Sequence, residues 1–384
     1  NMKKFLVIFG TRPEAIKMAP VVESLKHYVE LNPERLLLKV CVTAQHRELL
    51  DQVLDVFNIV PDYDLEIMQN DQDLFDLSSR ILLQVRGVLD DFEPDLVVVH
   101  GDTSTSFIAS LAAFYKKIKI AHVEAGLRTN DIYSPWPEEA NRQLTSKLAD
   151  FHFVPTDNSK KNLVKESVSE SSIHITGNTV IDALLMVRKK IYKSVSLQQT
   201  LESRINLDFK IRGAKYILVT GHRRENFGQG FHDICRGLIE IANNNPSFSI
   251  IYPMHMNPNV VKPVKELLGQ INNIFLINPL DYLSFVYLMD NAFLILTDSG
   301  GIQEEAPSLG VPVLVMRENT ERPEAVDYGT VKLVGTNTSS IVSQVQELID
   351  DAYKYKLMSE TINPYGDGKA SEKILEVLIK NEQP

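Results

Sequence analysis

The stretch DLVVVHGDTSTSFIASLAAFY, residues 95–115, decides the reading of the fold. Its residues 96–99 are apolar without a break, the pattern of a parallel strand covered on both faces. Gly101 and Asp102 close that run, and residues 104–115 follow at helix length. The same alternation recurs along the chain. Strand candidates in the first half are KFLVIFG, LLLKVCVTA, DLVVVHGD, IKIAHVEAG, FHFVPT and SIHITGN. In the second half they are YILVTGH, FSIIYPMH, IFLINPL, AFLILTDSG, VPVLVM and VKLVG. Longer patterns of helix length, such as residues 14–29, lie between them. The fold class this predicts is α/β, as two Rossmann-like doubly wound domains facing each other across a cleft.

A chain of 384 residues exceeds one ordinary core, so two domains are expected. The boundary falls in TGNTVIDALL, residues 176–185, where a strand ends in turn residues before a helix. Residues 1–180 then form the first domain and 181–366 the second, with the charged residues 188–215 leading into the second sheet. A last helix in 367–384, after NPYGDG, is a candidate to cross back to the first domain.

Forty Lys and Arg against fifty Asp and Glu leave a net charge of -10, which argues against nucleic-acid or anionic-membrane binding. No apolar run reaches the length of a bilayer span. The start, NMKKFLVIFGTRPEA, has a basic beginning but no small-residue cleavage site, so it reads as a first strand, with Asn1 an addition before Met2. Cys41 and Cys235 lie in different halves, which disfavours a disulfide framework or cysteine metal site and fits a reducing cytoplasm.

Ligands of open parallel sheets bind beyond the carboxyl ends of the strands. Those ends carry Gly10-Thr11-Arg12-Pro13-Glu14, Gln45-His46-Arg47, Gly101-Asp102-Thr103 and Glu124-Ala125-Gly126 in the first half. The second half offers Gly221-His222-Arg223-Arg224-Glu225-Asn226, His255 and Asp298-Ser299-Gly300-Gly301. Ordinary loops account for some of these; together they favour a ligand cleft between the sheets.

TDSGGIQEEAPSLG, residues 297–310, is the strongest phosphate signal. Its glycines let a phosphate approach the backbone ahead of a helix expected to begin near Ile302, and Glu304 or Glu305 can meet ribose hydroxyls. A tight strand–helix turn is the competing reading. It is neither a Walker loop nor a GxGxxG fingerprint, so ATP and NAD lose ground. FGTRPEAIKMAP places Arg12 before a helix begun by Pro13, with Lys17 one turn in. Both cations can meet a diphosphate, or both can be surface charges. ERPEA adds Arg322.

Asp102 and Glu124 should end neighbouring strands of one sheet, and Glu138 begins a helix after Pro137 in AHVEAGLRTNDIYSPWPEEANR, residues 121–142. Each alone can be a helix cap. Three acids facing His222 suit general acid–base work, because crowded carboxylates push one another's pKa values apart. A divalent metal is the competing use of such residues, though no HExxH or similarly spaced set occurs.

The segments FGTRPEAIKMAP, TAQHRELLD, VHGDTSTS, HVEAGLRT, PWPEEANR, GHRRENFG, TDSGGIQEEAPSLGVPVL and ERPEAV resemble those of the non-hydrolysing UDP-N-acetylglucosamine 2-epimerases, in order and over almost the whole chain. The resemblance implies a glycosyltransferase-B-like pair of Rossmann domains with the active site between them, and interconversion of UDP-GlcNAc and UDP-ManNAc. It implies that Arg12, Lys17, Ser299, Gly300, Gly301, Glu305 and Arg322 hold UDP, with Phe285 near the uracil. Asp102, Glu124, Glu138 and His222 would surround the sugar. No NAD and no essential metal are expected, and the resemblance implies a homodimer supplying bacterial surface polysaccharide. A second, activating UDP-GlcNAc would touch Gln45, His46 and Arg223, although Gln69 and Asn70 stand where some relatives carry a basic residue. The competing functions are a hydrolysing relative that releases ManNAc and UDP, a UDP-sugar glycosyltransferase, and an idle nucleotide-sugar sensor.

Overall fold

The computed structural model describes residues 1–221, 228–254 and 258–381; His222, Arg223 and His255 lie outside the described residues. The chain divides into two compact units, Asn1–Ala183 with Gly366–Pro384, and Leu184–Tyr365.

The first unit runs β1 (Lys3–Phe9), α1 (Arg12–Leu31), β2 (Leu36–Val42), α2 (Arg47–Val56), β3 (Tyr63–Asp64) and α3 (Leu74–Phe92). It continues with β4 (Leu96–His100), α4 (Ser104–Tyr115), β5 (Lys119–Val123), α5 (Glu138–Leu148), β6 (Phe151–Val154) and α6 (Asp157–Lys165). The unit closes with β7 (Ile173–Ile175) and the start of α7 (Thr179–Tyr192). The second unit runs α8 (Val195–Ile205), β8 (Tyr216–Thr220), α9 (Gln229–Asn244), β9 (Ser249–Pro253), α10 (Pro258–Leu268), β10 (Ile274–Ile277) and α11 (Tyr282–Asp290). Then follow β11 (Leu294–Thr297), α12 (Gly300–Glu305), β12 (Val313–Val315), α13 (Pro323–Tyr328), β13 (Val331–Leu333), α14 (Thr338–Asp350) and α15 (Ala352–Glu360). The last helix, α16 (Ala370–Asn381), belongs to the first unit.

The first sheet has the order β3-β2-β1-β4-β5-β6-β7 and the second β10-β9-β8-β11-β12-β13. Every pairing recorded in either sheet is parallel. Counted within each unit, both contain the doubly wound order 3-2-1-4-5-6. Its switch points lie between β1 and β4, and between β8 and β11.

The unbroken apolar runs follow from this arrangement. Phe5, Val7 and Phe9 of β1 enter one buried cluster with Ala15, Met18 and Val22 of α1. Leu6 and Ile8 enter another with Val85 and Leu89 of α3 and Ala109 of α4. Alternate residues meet opposite helical layers, so neither parity is free to be polar. Ile374 and Leu378 of α16 complete the α1-side cluster.

Two local expectations change. The helix after Ser299 begins at Gly300 rather than near Ile302, with Ser299 in extended backbone as its cap. Glycine is poor inside a helix but is tolerated in a first turn, whose N–H groups have no intrahelical partner. Strand β3 has no signal in the sequence: two residues carry no periodicity, and it exists through pairing of Cys41 with Tyr63 and Val42 with Asp64. Both cysteines are buried and free, and burial pushes each thiol up to about 12, which leaves neither primed as a nucleophile. Among the described residues no helix is long and apolar enough to cross a membrane.

Candidate active site

Three strand ends of the first unit converge chemically. Glu124 follows β5 directly, with a left-handed backbone, φ +59°. Its Oε2 accepts from Lys17 Nζ of α1 at 2.7 Å and from Asn178 Nδ2 at 3.2 Å. The buried ring of His100, at the end of β4, brings Nε2 to 3.5 Å from the same oxygen, longer than a good hydrogen bond. Among the described residues neither ring nitrogen of His100 has a hydrogen-bond partner, and Glu124 Oε1 accepts from none. Burial pushes the Glu124 carboxyl upward, but the Lys17 ammonium and His100 outweigh it and hold the group well below its ordinary range.

Asp102 lies two residues beyond β4, the strand paired with β5. Burial, then the charge of Glu124, pushes its carboxyl up, against Arg142, His100 and Lys17. Helix α5 fixes the turn that carries it. Asn141 Nδ2 donates to the Asp102 carbonyl at 3.0 Å, and Arg142 Nη1 donates to Asp102 Oδ2 at 3.2 Å. Arg142 Nε donates to Glu139 at 2.9 Å, and Glu139 also accepts from the Thr129 N–H and hydroxyl. The two glutamates that open α5 therefore part company: Glu139 is fully buried and satisfied, while Glu138 is half-buried.

Beneath this rim Glu14 ties β1 to β4. Its buried carboxylate accepts from the N–H groups of Gly10 and Thr11 and the Thr11 hydroxyl, and on its other oxygen from Thr103 and Ser106. Thr11 and Glu14 form a capping box that begins α1, and Thr103 caps α4. One carboxylate thus places both the helix carrying Arg12 and Lys17 and the turn carrying Asp102. Arg12 is the first residue of α1 and is partly exposed.

In the second unit the switch point carries an arginine over a glycine turn. The Ser299 N–H donates to Thr297 Oγ1 at 2.9 Å, and the Thr297 hydroxyl also bonds that of Thr220 on β8. A Cβ on Gly300 would stand 2.2 Å from Arg322 Nη1, so the guanidinium rests on the bare backbone. Arg322 Nε donates to the buried Glu304 at 2.8 Å, and Nη1 to Glu321 at 2.9 Å. Of the two acids read as ribose partners, Glu304 anchors Arg322. Glu305 folds back to within 3.6 Å of a Cβ on Gly301. Phe285 is half-buried on α11, and Gln45 and His46 lie between β2 and α2, His46 exposed. Among the described residues no His, Cys, Asp and Glu group suited to a metal ion occurs.

The rim residues that sequence reasoning missed are His100, Arg142, Asn178 and the bonding role of Glu14. Two left a signal: Thr11 with Glu14 is a capping-box spacing, and Glu139 with Arg142 is an i,i+3 pair. His100 and Asn178 left none.

Two Rossmann-ordered units, one with ion-paired carboxylates at its switch point and one with an arginine over a Ser-Gly-Gly turn, define a glycosyltransferase-B-like α/β protein. Residues 30–379 match the profile of the family described as UDP-N-acetylglucosamine 2-epimerase. The chain belongs to that family. It is 57% identical over 382 residues to the UDP-N-acetylglucosamine 2-epimerase of Campylobacter jejuni, covering 99% of this chain and 98% of the relative. It is 58% identical to that of Salmonella typhimurium, with 98% of each covered. The crystal structure of the Neisseria meningitidis UDP-GlcNAc 2-epimerase bound to UDP-GlcNAc is similar at TM-score 0.85 and 52% identity, over 98% of this chain and 100% of that one.

Proposed function

We propose that the protein interconverts UDP-N-acetylglucosamine and UDP-N-acetylmannosamine by eliminating and re-adding UDP. The observation that carries this reading is the opposed bias of two neighbouring carboxylates, Glu124 held ionised and Asp102 pushed toward its protonated form. Environments that split a carboxylate pair in this way supply a base and an acid.

The C2 hydrogen of the sugar lies beside an acetamido group, not a carbonyl, so simple removal and return is too difficult. In the proposed step the C2–H bond breaks toward a carboxylate and its electron pair forms the C1–C2 double bond. The C1–O bond breaks, UDP takes that pair, and neutral 2-acetamidoglucal remains. UDP then rejoins C1 while a proton reaches C2 on the other face. We assign removal of the proton from UDP-GlcNAc to Glu124 and reprotonation to Asp102, with the roles exchanged in reverse. Glu138 and His222 complete the set at the sugar. Arg12, Lys17, Ser299, Gly300, Gly301, Glu305 and Arg322 meet the charge of UDP, and Phe285 the uracil.

Nothing is oxidised, so the reaction has no use for NAD, and the cations answer the leaving-group charge without a divalent ion. The proposal extends to a homodimer serving surface-polysaccharide synthesis in the cytoplasm, and to an activating UDP-GlcNAc at Gln45, His46 and Arg223. Sedimentation checks the dimer, and a sigmoidal rate against UDP-GlcNAc the activator. Incubation with UDP-GlcNAc alone, followed by NMR, tests the main reading. UDP-ManNAc should accumulate without acceptor or added metal. Free ManNAc in its place would make the protein a hydrolase, and dependence on an acceptor a transferase.

A further inference from the structure

The motif TGNTVIDALL reads from sequence as a boundary, yet one of its side chains reaches the acid rim. Asn178 follows β7, which is separated from β5 in the sheet by β6. Its Nδ2 nevertheless donates to Glu124 Oε2, 54 residues away in sequence. The amide has one orientation, because its Oδ1 accepts the Val180 N–H at 2.9 Å in the first turn of α7. The side chain is buried, 4% exposed.

The backbone carrying this amide is held by the returning C-terminal chain. Gly366, φ +138°, packs so closely that a Cβ there would stand 3.4 Å from Gly177 Cα and 3.5 Å from Asn178 N. Four residues beyond Asn178, the buried Asp182 accepts from the N–H groups of Ala370 and Ser371 at 3.2 and 2.8 Å, and from the Ser371 hydroxyl at 2.7 Å. Residues 177–182 are thus clasped on one side and touch Glu124 on the other.

Resting on the reading of Glu124 as the group that takes the C2 proton, we propose that Asn178 is a positioning residue for Glu124, fixing one oxygen so that the other is presented to the sugar. A neutral donor suits the task. Among the described residues, the charged or titratable groups facing Glu124 are Lys17 from α1, His100 from β4 and Asp102 beyond β4. A second cation would hold the carboxylate ionised at the expense of its basicity, whereas an amide fixes its geometry with less loss.

Asn178→Asp keeps the acceptor for Val180 and replaces the donor by a like charge, and Asn178→Ala removes the donor without adding charge. Both variants should fold, by circular dichroism, and bind UDP as wild type does. Their kcat should fall at least about tenfold with KM within about threefold. The acid limb of the kcat/KM profile should rise by about one pH unit or more in Asn178→Asp and by less in Asn178→Ala. Activity loss with the limb in place, or failure of both variants to fold, would make Asn178 merely structural and overturn the proposal. Wild-type kcat and acid limb in both variants, beside an inactive Glu124→Gln, would overturn it alone. Near-normal turnover by Glu124→Gln would overturn the underlying reading, and this one with it.

Discussion

Glu124 holds a conformation that costs a non-glycine residue about 1–2 kcal/mol, φ +59°, at the end of a buried strand. Three groups that converge on one of its oxygens keep it there. Glu124→Gln keeps the shape and loses the base, so turnover should fall by about 10²-fold or more with UDP affinity retained, as kinetics and calorimetry would record. Gly300→Ala tests the other unit. Its Cβ would strike the guanidinium of Arg322, the far end of a flexible side chain. Arg322 must shift, and its bond to the buried Glu304 with it, so the Kd for UDP should rise about tenfold while the urea midpoint falls. An unchanged Kd would remove Arg322 from the phosphate site. At this scale only some of the contacts are legible in the sequence. Asp102 and Glu124 stand out because they interrupt apolar runs. Asn178 and His100 do not, since their partners are set by how strands line up in the sheet.

Helix α5 shows what an element adds. Arg142 spans the Asp102 and Glu139 carboxylates, and both it and Glu139 are buried. Arg142→Leu would strand a buried charge and should cost about 3–5 kcal/mol in urea unfolding. The strands carry a pH dependence. His122 on β5 bonds the Gly101 carbonyl at 2.7 Å, and burial pushes its pKa down to about 3; burial also pushes His152 on β6 down to about 4. Unfolded, both titrate near the ordinary value of about 6.5. Between these values the unfolded chain binds protons that the folded chain refuses. Stability should therefore be full above about pH 6.5 and fall as the pH drops toward 3–4. His122→Asn should reduce that slope by up to about 1.4 kcal/mol per pH unit, whatever its stability at neutral pH. An unaltered slope would mean that His122 titrates normally in the fold. Strands and long helices were readable from unbroken apolar runs and capping spacings. The two-residue β3 and the start of α12 at Gly300 were not, because pairing and turn geometry override propensity there.

At the scale of the molecule, one strand order occurs twice, and the candidate site residues of each unit follow strands beside its switch point. That much follows from the repeated strand–turn–helix pattern. The place of the last helix does not, since its apolar face suits any core. It lies in the first unit, with Leu378 fully buried in the α1-side cluster. Leu378→Ala should cost about 2–5 kcal/mol, read as a lower urea midpoint; a loss below about 1 kcal/mol would make the helix peripheral.

In the proposed elimination the C2–H bond breaks as UDP leaves C1. Turnover of UDP-GlcNAc in deuterated water, read by NMR at C2, tests it directly. UDP-ManNAc carrying deuterium at C2 is the expected product. UDP-ManNAc formed with its original C2 hydrogen intact would contradict that elimination.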